Sequence, residues 1–389
     1  MTTDNKYKLN VVCFGGADWW YHNRGHIDMQ IMRRYAKEGK VLYVNSIVVQ
    51  KPKILPGKQF IQKLSRKLKS VFRGMQKSQA GFWVVSPFSL PVHHIVWMKW
   101  FNELILHFQI RLMIHKLGIK KPIVWLACPA ATDIAVKMKK YKLIYQRADR
   151  WEEFPNVDSA LVKHHDHKAK ANADLTIFVS SLLFNEEAVQ CKSPFFLDHG
   201  VDYDLFAYAE RDLFMPKDIR GIKQPLVGFF GGIDSHTFDI PFLEKVVDLV
   251  PDMSFVLIGN SSVDCAGLLS KSNVLMLGQK PYEQIPHYGK YFDVLIMPWC
   301  QNEWIKACNP IKLKEYLALG KPVVSTPFPE LQKYCNVVYQ ASSPKKFAQC
   351  IRQALAEDSS QRISERRKKV ETCTWDRKAE LVLSELYRK

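Results

Sequence analysis

The sequence lacks several patterns, each of which would assign the chain to a particular class of protein. Its nine cysteines are an odd number without a CxxC pair, which argues against a zinc site or a disulfide framework and favours reduced thiols in the cytosol. No run of about 18 apolar residues occurs, so no membrane-spanning helix is predicted. The first residues, MTTDNKYKLN, contain no apolar signal core, and secretion by a standard signal peptide is not expected.

Acidic residues are absent from a basic region, Lys51 to Lys77, which contains nine Lys and Arg residues. From Phe60 to Phe72, apolar residues recur at helical spacing opposite a basic face, a combination typical of a helix that lies on anionic lipid. A solvated segment without a partner is one alternative. A nucleic-acid contact is another, but the aromatic platforms of a nucleic-acid-binding module are missing. We predict membrane binding through Lys63, Arg66, Lys67, Lys69 and Arg73.

The positive charge is concentrated in the first half of the chain. Residues 1–200 carry a net charge of +16, and the remaining residues carry +2. This asymmetry predicts an anionic partner for the first half: a membrane, a nucleic acid or a polyanionic glycan. A second apolar segment, His93 to Leu117, is rich in Trp, Phe and Ile, and its composition fits a core helix as well as a membrane-bound one.

The 389 residues are enough for two domains, and the first half has the rhythm of a parallel sheet. A strand, a Gly15-Gly16 turn, a helix from about Asn23 to Glu38 and a second strand follow one another, as in a Rossmann-like domain. The strands predicted for this half are Leu9–Phe14, Lys40–Val44, Phe82–Val85, Ile123–Leu126, Lys142–Gln146 and Leu175–Val179.

The second half repeats this rhythm with a strand, a Gly231-Gly232 turn and a helix from Pro241 to Leu249. Its predicted strands are Leu226–Phe230, Ser254–Ile258, Val274–Leu277, Val294–Met297 and Val323–Ser325. We therefore predict an α/β protein with two doubly wound parallel-sheet domains, residues 1–205 and 206–375. Residues 376–389 are predicted to form a helix that returns to the first domain.

The stretch from Asn309 to Thr326, NPIKLKEYLALGKPVVST, is the most informative part of the chain. Lys312 and Glu315 are three residues apart and lie on one face of a predicted helix, which Pro310 can begin and Gly320 can end. Such a carboxylate accepts hydrogen bonds from ribose hydroxyls, and such an ammonium binds a diphosphate. From the spacing alone, a surface Glu/Lys pair remains the alternative.

This stretch resembles the nucleotide-sugar site of GT-B glycosyltransferases, whose two Rossmann-like domains face each other across a cleft. The resemblance extends to the HGVD run at residues 199–202 and the FFGG run at 229–232. Within that superfamily, the chain is similar to teichuronic-acid-type transferases and to the membrane-associated glucuronosyltransferase of xanthan synthesis. The resemblance implies transfer of a sugar from a nucleotide-sugar, expected to be a UDP-sugar, to a lipid-linked or polysaccharide acceptor of envelope or exopolysaccharide synthesis.

The resemblance also implies roles for individual residues. Asp149, in the run YQRAD, aligns with the aspartate assigned as the base; Glu152 and Glu153 are fallback bases, and Asp18 is a weaker candidate. The residues expected to bind the nucleotide-sugar are Lys312, Glu315, Gly231, Gly232, Asn309, Pro310, Tyr282 and His199. Tyr282 would offer its ring for stacking on the nucleobase, although a structural tyrosine fits the sequence equally well.

Two departures from the family pattern affect the expected mechanism. The run GGIDSHTFD has no Arg or Lys after its glycines, so Lys312 would bind the diphosphate, with His236 or His199 as possible helpers. Ala307 occupies the place of the first of two paired glutamates. An inverting single displacement is therefore favoured over a retaining mechanism.

No metal or other cofactor is expected, because neither the run HHDH at 164–167 nor Asp202-Tyr203-Asp204 has a convincing ligand arrangement. The protein is expected in the cytoplasm, as a peripheral protein on the inner face of the cytoplasmic membrane. Its expected partners include an anionic membrane surface, and no nucleic acid is expected to bind. Two rival functions remain open at this stage. One is a UDP-sugar 2-epimerase of the same fold, and the other is a catalytically inactive scaffold that binds glycan or membrane.

Overall fold

The structure is a computed structural model that describes residues 9–21, 25–46, 65, 69–88, 96–155, 157–212 and 214–388. The chain divides into two compact units. The first comprises Met1–Asp198 and Lys378–Lys389, and the second comprises His199–Arg377. The last helix, Trp375–Leu386, begins in the second unit and ends in the first.

The first unit is built on an eight-stranded sheet with the order β3-β4-β2-β1-β5-β6-β7-β8. All neighbouring strands are parallel except β3 and β4, which pair antiparallel at one edge. The strands are β1 (Leu9–Phe14), β2 (Gly39–Val44), β3 (Gln76–Lys77), β4 (Trp83–Val85), β5 (Ile123–Leu126), β6 (Lys142–Arg147), β7 (Leu175–Phe178) and β8 (Pro194–Phe196). Its central strands are almost wholly apolar, as expected of a parallel sheet covered on both faces.

Within the described residues, helices of the first unit connect these strands. They are α1 (Ile27–Tyr35), α2 (Val96–Lys116), α3 (Thr132–Lys137), α4 (Ser159–Asn172) and α5 (Ser181–Glu187). The start of α4 is determined locally, because the Asp158 carboxylate accepts a hydrogen bond from Leu161 N at 3.2 Å. Leu106 and Ile110 of α2 pack into the same core as Val124 and Leu143 of the sheet.

The second unit has a six-stranded, wholly parallel sheet with the order β11-β10-β9-β12-β13-β14. The strands are β9 (Leu226–Phe230), β10 (Ser254–Ile258), β11 (Val274–Met276), β12 (Val294–Met297), β13 (Val323–Ser325) and β14 (Tyr339–Gln340). This is the strand order of a Rossmann fold. Strands β10 and β11 lie on one side of β9, and the chain then crosses over to add β12, β13 and β14 on the other side. The carboxyl ends of β9 and β12 therefore mark the place where a ligand site is expected.

The helices of the second unit follow its strands in the usual alternation. They are α6 (Tyr203–Ala207), α7 (Ile240–Leu249), α8 (Ala266–Leu269), α9 (Ile285–Gly289), α10 (Glu303–Lys306), α11 (Ile311–Leu319), α12 (Pro344–Ala356), α13 (Ser360–Lys368) and α14 (Trp375–Leu386), the last shared with the first unit. Buried side chains from α7 and α12 cover one face of the sheet. Short 3₁₀ turns occupy several of the connections.

The two segments with predicted membrane contacts are described to different extents. Most of the basic region, including Lys63, Arg66 and Lys67, lies outside the described residues, while 69–72 are helical and Phe72 is strongly exposed. The Arg73 guanidinium lies 5.0 Å from the ring centroid of Trp20. Residues 96–116 form α2, and no helix in the described ranges is both long and apolar enough to cross a bilayer.

A buried ion cluster joins β6, α4, α5 and the 3₁₀ turn that contains Glu152. Arg147, at the end of β6, donates hydrogen bonds to both carboxylate oxygens of Glu187 (2.9 and 3.0 Å) and of Glu152 (2.9 and 3.0 Å). Lys170 on α4 lies 2.6 Å from both Glu187 and Asp166. Burial alone would raise the pKa of Glu187, but hydrogen bonds from Arg147 and Lys170 lower it below its ordinary value.

We predict that Arg147→Met destabilises the first unit by about 3 to 5 kcal/mol, because it leaves buried carboxylates without their counter-ion. Lys142→Met is the matched control, since Lys142 pairs with Asp174 in a half-exposed ion pair worth about 0 to 1 kcal/mol. Urea unfolding of the full chain measures both changes. Equal destabilisation by the two variants would show that the cluster contributes no more than a surface pair.

Candidate functional site

Two glycines form the floor of the candidate site at the carboxyl ends of β9 and β10. Gly231 and Gly259 have backbone φ angles of +150° and +154°, values that residues other than glycine rarely adopt. A Cβ on Gly259 would lie 1.7 Å from the carbonyl oxygen of Gly231. Gly231 N also donates to the carbonyl of Ile258 at 2.9 Å. The two turns are therefore in direct backbone contact, and only glycine fits there.

Lys312 covers the first of these turns. It lies in the first turn of α11, which starts after the extended residue Pro310, and a Cβ on Gly231 would be 2.3 Å from its Nζ. The Nζ atom is 4.8 Å from the ring centroid of Phe229 and 5.3 Å from that of Trp299. Burial lowers the pKa of Lys312 to about 8, although the charges of nearby carboxylates oppose this shift.

Glu315 lies one turn along the same helix and is only 5% exposed. Its Oε1 accepts a hydrogen bond of 2.9 Å from the Tyr282 hydroxyl. Burial raises the pKa of Glu315 to about 7; the Tyr282 hydrogen bond and the Lys312 charge oppose the shift, and the Asp202 carboxylate adds to it. A buried carboxyl group with a pKa of about 7 and a lysine with a lowered pKa thus lie on the same helix, at the switch point where the strand order of the sheet reverses. Ligands of such folds bind at this point, and perturbed pKa values are common at functional sites.

Helix α11 is held rigidly against the sheet. The Tyr316 hydroxyl accepts a hydrogen bond of 3.2 Å from Phe230 N, and its ring packs edge-on against the Phe230 ring, with centroids 4.6 Å apart. The predicted left-handed end of the helix is confirmed at Gly320, where φ is +78°. The buried Arg366 donates to the Gly320 carbonyl at 2.9 Å and thereby satisfies one carbonyl at the helix end.

The other residues predicted to bind a nucleotide-sugar lie in the same unit. Asn309 and His199 are buried, and the carbonyl of His199 accepts a hydrogen bond from Lys314. Gly232 is exposed beside Gly231. Tyr282 is buried and packs against Phe206, with ring centroids 5.9 Å apart. Its hydroxyl positions Glu315, and its stacking on a nucleobase stays a prediction.

His236, one of the possible helpers of Lys312, belongs to a structured loop after the glycine turn. The Asp234 carboxylate accepts hydrogen bonds from His236 N (2.9 Å) and Thr237 N (2.8 Å). The imidazole packs against Trp304, with centroids 5.1 Å apart, and burial lowers the pKa of His236. The acid that the sequence pattern GGIDSHTFD places after the glycines thus organises the backbone of the loop.

The predicted base and its alternatives lie in the first unit, and Asp149 and Glu152 contact Arg147 of the ion cluster. Asp149 follows β6 and is partly exposed, and its backbone carbonyl accepts a hydrogen bond of 2.9 Å from Arg147. Glu152 is held by Arg147 on both carboxylate oxygens, and Glu153 is exposed. Asp18 accepts hydrogen bonds from Trp20 N (2.9 Å) and from the Ser70 hydroxyl (3.0 Å).

Three further residues that shape the site were not among the predicted ligand-binding residues. Trp299 lies one loop beyond β12, is 5% exposed, and its indole nitrogen has no hydrogen-bond partner in the described structure. Phe229 forms the other aromatic wall beside Lys312. Asp202 occupies the cap position of α6, but its side chain makes no capping hydrogen bond. Its charge acts on Glu315 instead.

Comparisons with known proteins agree with this geometry. The family model described as "Glycosyl transferases group 1" matches residues 224–357, which contain both glycine turns and helix α11. TuaH of Bacillus subtilis (strain 168), named as a glycosyltransferase of teichuronic acid biosynthesis, is 26% identical over 254 residues. That match covers 59% of this chain and 62% of the relative's length.

Solved structures match almost the whole chain, and two of them serve as examples. Sucrose-phosphate synthase from Thermosynechococcus elongatus has a TM-score of 0.70 at 15% identity, with 98% of each chain covered. Anabaena Alr3699/HepE, solved in complex with UDP and glucose, has a TM-score of 0.67 at 11% identity, and the match covers 98% of this chain and all of that one. At these identities the similarity establishes the fold.

We predict that Glu315→Gln stabilises the protein more at pH 8 than at pH 5. The pKa of Glu315 is about 7 in the folded state against an ordinary 4.5, so the folded state holds the extra proton between these values. The free energy of unfolding of the wild type therefore falls as the pH rises from about 4.5 to about 7, and the neutral glutamine removes this loss. Urea unfolding at both pH values should show a difference of about 1 to 3 kcal/mol.

Glu303→Gln is the control for this experiment, since Glu303 pairs with Lys306 on the surface of α10. Its effect should not depend on pH in this range. A Glu315→Gln effect of the same size at pH 5 and pH 8 would contradict a raised pKa for this carboxyl group.

The site geometry and the comparisons lead to one assignment. Helix α11 and the glycine turns lie inside the matched family region, and the two parallel-sheet units correspond over nearly the whole chain to solved GT-B enzymes. This chain therefore has the fold of solved GT-B enzymes, and its residues 224–357 match the model of the glycosyl transferases group 1 family.

Proposed function

We propose that this protein is a glycosyltransferase that moves a sugar from a UDP-sugar to a lipid-linked or polysaccharide acceptor in envelope or exopolysaccharide synthesis. The observation that carries the proposal is the Lys312/Glu315 pair at the switch point of the second unit. The name of TuaH supports a role in polysaccharide synthesis. The UDP bound to HepE supports the choice of nucleotide.

Glu315 would bind the ribose of the donor. Its carboxylate has one oxygen engaged by Tyr282, and the carboxylate retains acceptor capacity for a pair of neighbouring hydroxyls. Burial makes the charged form of the Glu315 carboxylate unfavourable in free energy when no ligand is bound. Hydroxyl donors from a ligand would stabilise this charged form. The site would therefore bind a diol more strongly than a ligand without one.

Lys312 would bind the diphosphate. Its ammonium lies directly above the backbone of the Gly231 turn, and the two aromatic rings beside it exclude water. An anion bound there would stabilise the charged form of Lys312, which is poorly solvated. The indole nitrogen of Trp299 is a further donor in the same region. We propose that these groups stabilise the leaving diphosphate without a metal ion.

The acceptor would be activated in the first unit by Asp149. Asp149 is a partly exposed residue just after β6, and its carboxylate would take the proton of the acceptor hydroxyl as the glycosidic bond forms. Glu152 is engaged by Arg147 and is less suited to this role. With Ala307 at the place of the family's first glutamate, we propose an inverting displacement in one step.

The enzyme would work as a peripheral protein on an anionic membrane surface. The basic segment with Lys63, Arg66, Lys67, Lys69 and Arg73 would contribute electrostatic attraction, worth about 1 kcal/mol for each cation near the surface. Lys69 and Arg73 are exposed. A lipid-linked acceptor is by its chemistry confined to such a surface, so surface attachment would raise the local concentration of enzyme and acceptor.

We predict that Lys312→Ala and Glu315→Ala each weaken UDP binding at least about tenfold, since each removes a charge-assisted hydrogen bond worth about 1.5 to 3 kcal/mol. Isothermal titration with UDP, GDP and CMP measures the loss and the choice of nucleotide. Glu303→Ala and Lys306→Ala provide the control, because this surface pair has the same three-residue spacing. Unchanged UDP affinity in both site variants would refute the donor-site assignment.

We predict that Asp149→Asn lowers sugar transfer at least about 100-fold, because general-base catalysis contributes on that order. UDP affinity should remain that of the wild type. Transfer is measured with a UDP-sugar and membrane extract as the source of acceptor. Loss of transfer in Glu153→Gln instead of Asp149→Asn would assign the base to the neighbouring acid. Conversion of the UDP-sugar to its epimer in the absence of acceptor would refute the transferase proposal and support the epimerase.

A further inference from the structure

Helix α2 of the first unit has two apolar faces, and only one of them is used by the core. Leu106 and Ile110 are at most 3% exposed and lie in the main core of the unit. Met113, Ile114 and Leu117 pack against the same cluster. This inner face accounts for the attachment of α2 to the sheet.

The opposite side of α2 presents large apolar side chains to solvent. Trp100 is 63% exposed and Phe108 is 69% exposed. We define the outer face of α2 as the exposed residues Trp100, Phe101, Leu104, Phe108 and Leu112. At about 100° per residue these five positions fall within an arc of roughly 120°, on the side opposite Leu106 and Ile110. Monomeric soluble proteins rarely expose a contiguous stripe of this kind without a partner for it.

The charges around the outer face have one sign. Arg111, His115 and Lys116 are exposed on the last turns of the same helix. Between residues 96 and 121 the only acid is Glu103, and its carboxylate pairs with Lys137 at 3.1 Å. An apolar stripe with cations beside it and no free acid is complementary to a surface that is apolar inside and anionic at its edge.

Phe88 extends the outer face. The Gln109 side chain on α2 accepts a hydrogen bond of 3.0 Å from Phe88 N and donates one of 2.9 Å to the Phe88 carbonyl. This pair of hydrogen bonds fixes the backbone of residue 88 on the flank of the helix. The Phe88 ring is 46% exposed, so a further aromatic side chain lies next to the stripe.

We propose that the outer face of α2 is a docking surface for an anionic lipid bilayer, with the aromatic and leucine side chains in the interface and the cations at the headgroups. The inference deepens the proposed function and rests on it, because it names the surface that holds the enzyme next to a lipid-linked acceptor. Helix α2 lies on the bilayer and does not cross it. The charge of +16 on residues 1–200 favours a polyanionic lipid surface over a protein groove.

The test is co-sedimentation of the full chain with vesicles of phosphatidylglycerol and phosphatidylcholine. A Trp100→Ser/Leu104→Ser/Phe108→Ser variant should lower the partition coefficient at least about tenfold, because it removes the largest part of the apolar contact. The control variant, Phe214→Ser/Leu269→Ser, replaces exposed apolar residues of the second unit and should bind as the wild type does. Equal binding of the triple variant and the wild type overturns the proposal.

A second measurement reports insertion directly. Quenching of tryptophan fluorescence by brominated lipid should be smaller in Trp100→Phe than in the wild type, while sedimentation of this conservative variant stays unchanged. Arg111→Glu/Lys116→Glu should weaken binding to vesicles with phosphatidylglycerol and have little effect at high salt. Quenching that is the same with and without Trp100 overturns the placement of the outer face in the lipid.

Failure of this inference can be separated from failure of the proposed function. UDP titration of the triple variant should give the wild-type affinity, since its three substitutions lie in the first unit. Loss of vesicle binding with intact UDP binding supports the lipid contact whatever the acceptor is. A wild type that is dimeric by light scattering, with a monomeric triple variant that still binds vesicles, would assign the outer face to a second copy of the chain and overturn the proposal.

Discussion

The close contact between the turns after β9 and β10 is the constraint on which the candidate site depends. The Gly259 backbone lies so near the Gly231 carbonyl that any side chain there would collide with it. The bare Gly231 turn then leaves room for the Lys312 ammonium directly above it. Helix α11 can bring Lys312 to this point because Tyr316 ties the helix to the end of β9. The conformation of the two glycines, the position of α11 and the position of the Lys312 ammonium therefore depend on one another.

The electrostatics of the site follow from this geometry. Two opposite charges are placed where water is largely excluded, so burial raises the pKa of Glu315 and lowers that of Lys312. Such a pair costs free energy in the empty protein, and a ligand with both hydroxyl donors and negative charge would relieve part of that cost. The first unit solves the same problem differently, because Arg147 neutralises its buried carboxylates within the protein. At the Lys312/Glu315 pair of the second unit, the proposed ligand would supply this compensation.

Much of this architecture could be predicted from local patterns. Strands β1, β5, β9, β10, β12 and β13 lie where apolar runs predicted them, because fully buried parallel strands are continuous in hydrophobicity. Strands β3, β8 and β14 were not predicted, since two or three residues at or near a sheet edge leave no periodic signal. Among the described residues, the helix predicted for residues 23–38 spans Ile27–Tyr35, and His26 at its start makes no side-chain capping hydrogen bond. In the site, the pairing of Lys312 with Glu315 follows from helical spacing, whereas Trp299 and Asp202 are distant in sequence and enter only through the fold.

Four features follow from the sequence without the fold: the α/β class, the glycine turns, the Lys312/Glu315 helix and the excess positive charge of the first half. These features depend on neighbours along the chain, through backbone conformation and residue periodicity. The tertiary structure decided which acids are engaged: Glu152 is engaged by Arg147, and Glu315 is engaged by Tyr282. It also decided which face of α2 remains in solvent, because the helix is apolar on both sides and only packing against the sheet distinguishes them. Burial and long-range contact are properties of the folded chain, and no local pattern contains them.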